Sequence, residues 1–179
     1  RSDPSSMQTL TLNAYKTLKT KTHYIKNISP IVNGSGQSIA GSNNWPTTIY
    51  GASPEYLSIR DWSVEKGSMF TEDDIESYAK VAVIGKTVQE NLFPNEDPIG
   101  KMIRFKNIPF KVIGILKEKG ENTFGQDQDD IIIAPYTAVQ KRILAQKYLQ
   151  SIVASSISED DSEAAVNEIT TIMEKQHNI

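Results

Sequence analysis

Hydrophobic positions along this chain recur with two periods, and the dominant period changes near residue 80. Residues 12–21 carry Ala14, Tyr15 and Leu18 as an apolar stripe at helical spacing, with Thr11 placed to cap the helix start. Residues 24–32 read as an extended stretch interrupted by Pro30, and residues 33–44, rich in Gly, Ser and Asn, as a loop or hairpin tip. Residues 47–52 alternate and predict a strand. Ser53 followed by Pro54 is a helix start that gives one turn over 55–59. Thr71 with Asp74 three residues on is a capping-box variant leading into a helix over 75–79, behind a turn at Gly67.

From Lys80 the texture becomes short strands with tight turns: 81–84, 101–106, 110–116 and 131–134. Asn107 and Ile108 separate the second from the third, which predicts a hairpin, and a helix over 87–92 precedes it. A helix over 136–146 follows Pro135, with Val139, Ile143 and Leu144 on one side. Residues 151–156 then read as a strand, and 160–176 as an amphipathic helix with Val166, Ile169 and Ile172 or Met173 facing inward. The pattern predicts an α+β fold in which residues 1–79 and 146–179 form one discontinuous subdomain and residues 80–145 a small β-rich subdomain inserted into it.

Composition narrows the chemistry. The 179 residues, 38% hydrophobic and 8% aromatic, suffice for a real core. Nineteen basic against twenty-two acidic residues leave a net charge of −3, which gives no electrostatic footprint for nucleic acid. The absence of cysteine excludes thiolate catalysis and disulfide stapling. No apolar run approaches the roughly 20 residues that cross a bilayer. The chain starts at Arg1 and stops after a helical segment without a terminator, which reads as a piece of a longer protein.

Partial motifs fail on inspection. Ile84-Gly85-Lys86-Thr87 imitates the end of a phosphate-binding loop, but Lys80 stands where that loop needs its upstream glycine, so the stretch reads as a strand-to-helix turn. Asp127, Asp129 and Asp130 suggest a hard cation, yet the glycine and glutamate of a helix-flanked calcium loop are replaced by Ile132 and Ala138. His23 and His177 stand near opposite ends of the chain and suggest neither a metal centre nor a triad. Glu72, Asp73 and Asp74 suit the first turn of a helix, where the macrodipole favours negative charge. Trp45, Tyr50, Tyr56, Trp62 and Phe70 read as core rather than as a ligand groove. No catalytic, cofactor-binding or metal-binding constellation is expected.

Seven segments in order carry a family signature: 28–32 (ISPIV), 51–56 (GASPEY) with 59–62 (IRDW), 65–74 (EKGSMFTEDD), 80–85 (KVAVIG), 91–93 (NLF) with 97–100 (DPIG), 109–114 (PFKVIG) and 124–130 (FGQDQDD). Together they resemble the extracytoplasmic core domain of MacB-type ABC transporter permeases, within the FtsX-like permease group. The resemblance implies a porter-like α/β-sandwich subdomain with the β-rich insert, and a periplasmic location between two transmembrane helices of a dimeric permease. It implies no enzyme activity here, ATP being hydrolysed in a separate cytoplasmic domain or subunit. Coupling of that hydrolysis to export of a macrolide, peptide or lipoprotein follows, with a periplasmic adaptor protein as partner. A regulatory or sensory domain that activates a protein partner without transport is the alternative. In the loop, Gly125 permits the turn, and Phe124, Gln126, Asp127, Gln128, Asp129 and Asp130 are candidates for contact with a partner or a neighbouring subunit.

Overall fold

A computed structural model describes residues 12–21, 23–144, 151–158 and 161–177. Its organising element is β1 (Ile25–Ala40), a strand of 16 residues and so about 50 Å long. The first half of β1 pairs antiparallel with β8 (Ser151–Ser156), from Ile25 opposite Ser156 to Ile31 opposite Ser151. The second half pairs antiparallel with β2 (Asn43–Ala52), from Val32 opposite Gly51 to Ala40 opposite Asn43.

β2 runs parallel to β7 (Ile132–Pro135), which pairs antiparallel with β4 (Val81–Ile84). β4 in turn lies parallel to β6 (Ile108–Leu116), β6 pairs with β5 (Met102–Phe105), and β5 returns to β1 through Ser38–Phe105 and Ile39–Arg104. Six strands therefore close into a ring, which removes the free edges an open sheet of that size would expose. A short strand, β3 (Val64–Gly67), adds to β6 outside the ring. Strand pairing thus joins β1 to β5 and β2 to β7 across position 80, and β8 to β1.

Alternation along the ring strands sends Ile49, Val83, Ile103, Phe105, Phe110, Val112 and Ile133 into a common core. Of the aromatic residues, Tyr56, Trp62 and Phe70 are buried, and Trp45 and Tyr50 are partly buried against the same core. Helix α1 (Leu12–Lys21) buries Tyr15 and Leu18, as its stripe requires, and Tyr15 meets Tyr136 edge to face at 5.8 Å. Burial lifts the Tyr136 phenol to about 12. Helix α2 (Tyr56–Ile59) is capped at Glu55 and not at Ser53, whose hydroxyl donates to the Ile28 carbonyl at 3.4 Å. Thr71 and Asp74 form the capping box reciprocally, but the helix they open, α3 (Glu72–Glu76), stops before the expected 77–79, while α4 (Lys86–Leu92) follows the Gly85 turn. The β5–β6 turn places both Lys106 and Asn107 at positive φ, the conformation a two-residue hairpin demands.

Several expectations change. Residues 33–44 hold a hairpin tip but no longer loop: β1 continues to Ala40, β2 begins at Asn43, and only Gly41 and Ser42 form the turn. Gly34 and Gly36 serve packing, because a Cβ on Gly34 would stand 3.2 Å from Leu144 and one on Gly36 3.2 Å from Phe105. The helix over 136–146 is one α turn, α5 (Tyr136–Val139), continued as a π-helical turn over Gln140–Leu144; residues 145 and 146 lie outside the described residues, as does Thr11. In α6 (Ser162–His177), Val166 faces solvent at 60% exposure while Ala165 is buried and Ile169 and Ile172 pack inward. The Met173 side chain lies outside the described residues. β3 had no signal in the sequence.

Contact between α6 and the start of β1 is polar. Glu168 accepts hydrogen bonds from the His23 amide at 2.6 Å, the Tyr24 amide at 3.2 Å and, through its other oxygen, His23 Nδ1 at 2.7 Å. Burial, the largest influence, acts to raise this carboxyl's pKa, but the three hydrogen bonds together hold it below the ordinary value.

Candidate functional site

The acidic, amide-rich stretch closes a connection between β6 and β7 that spans residues 117–131. Both of its roots are fixed. At one, Trp62 Nε1 donates to the Lys117 carbonyl at 2.8 Å, and Lys119 Nζ lies over the Trp62 ring at 5.2 Å while donating to the Arg60 carbonyl at 2.6 Å. At the other, Gly85 N donates to the Ile131 carbonyl at 2.9 Å and Thr87 N to that of Asp129 at 3.3 Å.

The three aspartates point to three different sets of donors. Asp129 is buried, 4% exposed, and its two oxygens each take a backbone amide at 2.8 Å, Lys119 N on one and Gly120 N on the other. Asp130 Oδ1 accepts from Trp45 Nε1 at 2.9 Å and Thr47 Oγ1 at 2.7 Å, which ties the connection to β2. Asp127 accepts from Thr87 Oγ1 at 2.5 Å and from the Asp129 amide at 2.9 Å. Among the described residues, no group of three or more acidic or histidine side chains is disposed to hold a metal.

Asn122 organises the tip. Its side-chain oxygen accepts from the amides of Phe124 at 2.8 Å and Gln126 at 3.0 Å, and its amide nitrogen donates to Gln126 Oε1 at 3.0 Å. Gly125 takes a φ of 75°, where a side chain would be strained. The result is a tightly hydrogen-bonded tip that holds Phe124 out in solvent, 88% exposed.

The expected contact residues therefore separate by depth. Phe124, Gln126 and Asp127 are exposed, Gln128 and Asp130 half-buried, and Asp129 is occupied within the loop. Beside Asp130 a shallow polar groove of about 380 Å³ is lined by Ser35, Gln37, Thr47 and Thr48. Sequence reasoning missed the anchors Trp45, Thr47, Thr87, Lys119 and Asn122. Only Asn122, two residues before Phe124, carried a local signal, because asparagine commonly bonds a backbone amide two residues on.

Gly85, the glycine of the false phosphate loop, has another reason to be glycine. A Cβ there would stand 2.1 Å from the Asp129 carbonyl oxygen and 2.8 Å from its carbon. The strand-to-helix turn is narrow because the connection lies directly upon it.

A family model for the MacB-like periplasmic core domain matches residues 1–172. The chain is similar to two proteins named "Macrolide export ATP-binding/permease protein MacB". With that of Chlorobium luteolum it is 40% identical over 155 residues, 87% of this chain and 23% of the relative. With that of Syntrophobacter fumaroxidans it is 47% identical over 116 residues, 64% of this chain and 16% of the relative. The chain thus matches less than a quarter of each relative's length.

Among solved structures, it resembles the periplasmic region of MacB from Actinobacillus actinomycetemcomitans, with a TM-score of 0.83 and 26% identity, over 96% of this chain and 76% of that one. It shares its fold with the extracellular domain of the noncanonic ABC-type transporter YknZ from Gram-positive bacteria, with a TM-score of 0.81 and 20% identity, over 94% of this chain and 84% of that one. Among the described residues no helix is long and apolar enough to cross a membrane.

Proposed function

Because the chain belongs to the MacB-like periplasmic core domain family, we propose that it is the extracytoplasmic portion of a dimeric ABC transporter permease, tethered by flanking transmembrane helices. In this role it passes conformational change, driven by ATP hydrolysis in a separate cytoplasmic domain or subunit, to the export of a cargo such as a macrolide, peptide or lipoprotein. The family match across nearly the whole chain carries this reading. Continuity of β1 between its pairings with β8 and with β2 supports it, because a strand hydrogen-bonded along its length transmits displacement without bending freely.

The 117–131 connection is the contact with a periplasmic adaptor protein or the neighbouring subunit. Phe124, Gln126 and Asp127 form the touching surface, and Asp129 and Asp130 hold it from behind. An exposed aromatic on a pre-ordered support is a favourable anchor, because little conformational freedom remains to be lost on binding.

The test uses the intact permease with its ATPase in membrane vesicles. Phe124→Ala with Gln126→Ala is expected to leave ATP hydrolysis and folding in place, while ATP-driven cargo release and recovery of the adaptor in pull-down both fall by about tenfold. Unchanged adaptor recovery and transport would remove the contact role. A permease that hydrolyses ATP and binds a protein partner but moves no cargo would replace export with the regulatory function.

A further inference from the structure

The outer face of the β5–β6 hairpin and its neighbours has a composition unlike the rest of the chain. Residues 98–117 contain Lys101, Arg104, Lys106, Lys111 and Lys117 and no aspartate or glutamate, in a chain whose net charge is −3. Strand register sorts the outward positions into two rows. One row runs Val81, Lys111, Met102 across β4, β6 and β5. The other runs Pro109, Arg104, Ile39 across β6, β5 and β1. Each row has one cation flanked by two apolar side chains, and at the spacing of adjacent strands the four strands span about 14 Å.

Of the apolar members Met102 at 49% and Ile39 at 40% are open to solvent, and Val81 and Pro109 are half-buried. Arg104 and Lys111 are exposed, and Lys106, at the hairpin turn, sends its stem back over Gly36 of β1. No carboxylate among the described residues lies within 4.0 Å of Arg104, Lys106 or Lys111. Within the same stretch Lys101 reaches Glu96 at 4.0 Å, and on β3 Lys66 reaches Asp97 at 3.0 Å.

We infer that this face, separate from the 117–131 connection, docks an acidic, partly apolar segment of a protein partner, with carboxylates on Arg104 and Lys111 and aliphatic side chains between Ile39, Met102 and Val81. Charge complementarity selects the sign of the partner, since cations without local acids attract and orient an anionic segment. The alternation of charge and aliphatic side chain selects a protein over a lipid surface, because the face carries no aromatic residue of the kind that seats in a headgroup layer, whereas Met and Arg are enriched where proteins meet.

The experiment measures fluorescence anisotropy of a labelled peptide of alternating Glu and Leu with the full chain, beside polyglutamate and phosphatidylglycerol vesicles. The alternating peptide is expected to bind in a salt-sensitive manner. Arg104→Glu with Lys111→Glu should weaken it about tenfold or more, Ile39→Ser with Met102→Ser several-fold, and Lys16→Glu with Lys26→Glu not at all. All of these side chains are exposed, and circular dichroism checks that each variant is folded.

Equal binding of the alternating peptide by wild type and the Arg104/Lys111 variant overturns the inference. So does polyglutamate binding as tightly as the alternating peptide, which would leave charge alone. Vesicle binding without peptide binding would make the face a lipid surface, and self-association abolished by the charge reversal without peptide binding would make its occupant a second copy.

Discussion

Replacing Gly85 by alanine tests whether the connection over residues 117–131 is built onto the β4–α4 turn. The backbone at Gly85 has a φ of −78° and a ψ of 166°, which alanine adopts freely, so any effect must come from the added methyl. That methyl would stand 2.1 Å from the Asp129 carbonyl oxygen, against the 3.4 Å at which ordinary contact begins, so one partner must move by about 1.3 Å. Movement stretches the Gly85 N to Ile131 O bond at 2.9 Å and the Thr87 N to Asp129 O bond at 3.3 Å. Overpacking of this kind costs about 1–3 kcal/mol, and each weakened hydrogen bond about 1 kcal/mol. A total of about 3–5 kcal/mol lowers the melting temperature of a domain this size by about 6–20 °C.

Thermal and urea unfolding measure the loss, and limited proteolysis within residues 120–128 reports whether the connection has lifted. If Gly85→Ala melts within about 2 °C of wild type and the connection stays protected, the reasoning fails, because the connection would then give way without cost.

Three further outcomes follow from the same structure. Asp129→Asn keeps one acceptor but turns an amide toward a backbone donor, so it should lower the urea-derived stability by about 2–3 kcal/mol, whereas Asp127→Asn at the exposed rim should cost under about 1 kcal/mol. Val166→Ser should change stability by less than about 0.5 kcal/mol and Ile169→Ala by about 1–2 kcal/mol, which chemical denaturation distinguishes. Because the Glu168 pKa is lowered on folding, its contribution to stability is fully present above the ordinary carboxylate value of 4.5 and disappears as pH falls through the folded value. Denaturation from pH 7 to pH 3 should therefore show a shallower acid decline for Glu168→Gln than for wild type.

What could be read from the sequence was local. The Thr71–Asp74 cap, the β5–β6 hairpin and the short helix after Gly85 each depend on residues within a few positions, and the structure forms all three, although the hairpin turns at Lys106–Asn107, one residue before the expected Asn107–Ile108. β1 was illegible because its signals were misleading. Pro30 looks like an interruption, yet it sits buried opposite Ile152 within the strand, and Gly34 and Gly36 look like loop residues although they make room for Leu144 and Phe105. The site was legible in composition but not in role. That Asp129 faces inward while Phe124 faces out depends on Lys119, Gly120 and Asn122, and so on a turn whose shape no periodicity encodes.

β1 also constrains how this sequence can change. A strand that slips by one residue turns every side chain to the opposite face, and β1 is read by two sets of neighbours at once. Inserting or deleting one residue near Val32 would leave one half in phase and force the other to present Ile39 inward and Ser38 outward. Length variation among natural relatives is therefore expected in turns such as Gly41–Ser42 and not within β1, which acts as a shared ruler for both parts of the fold.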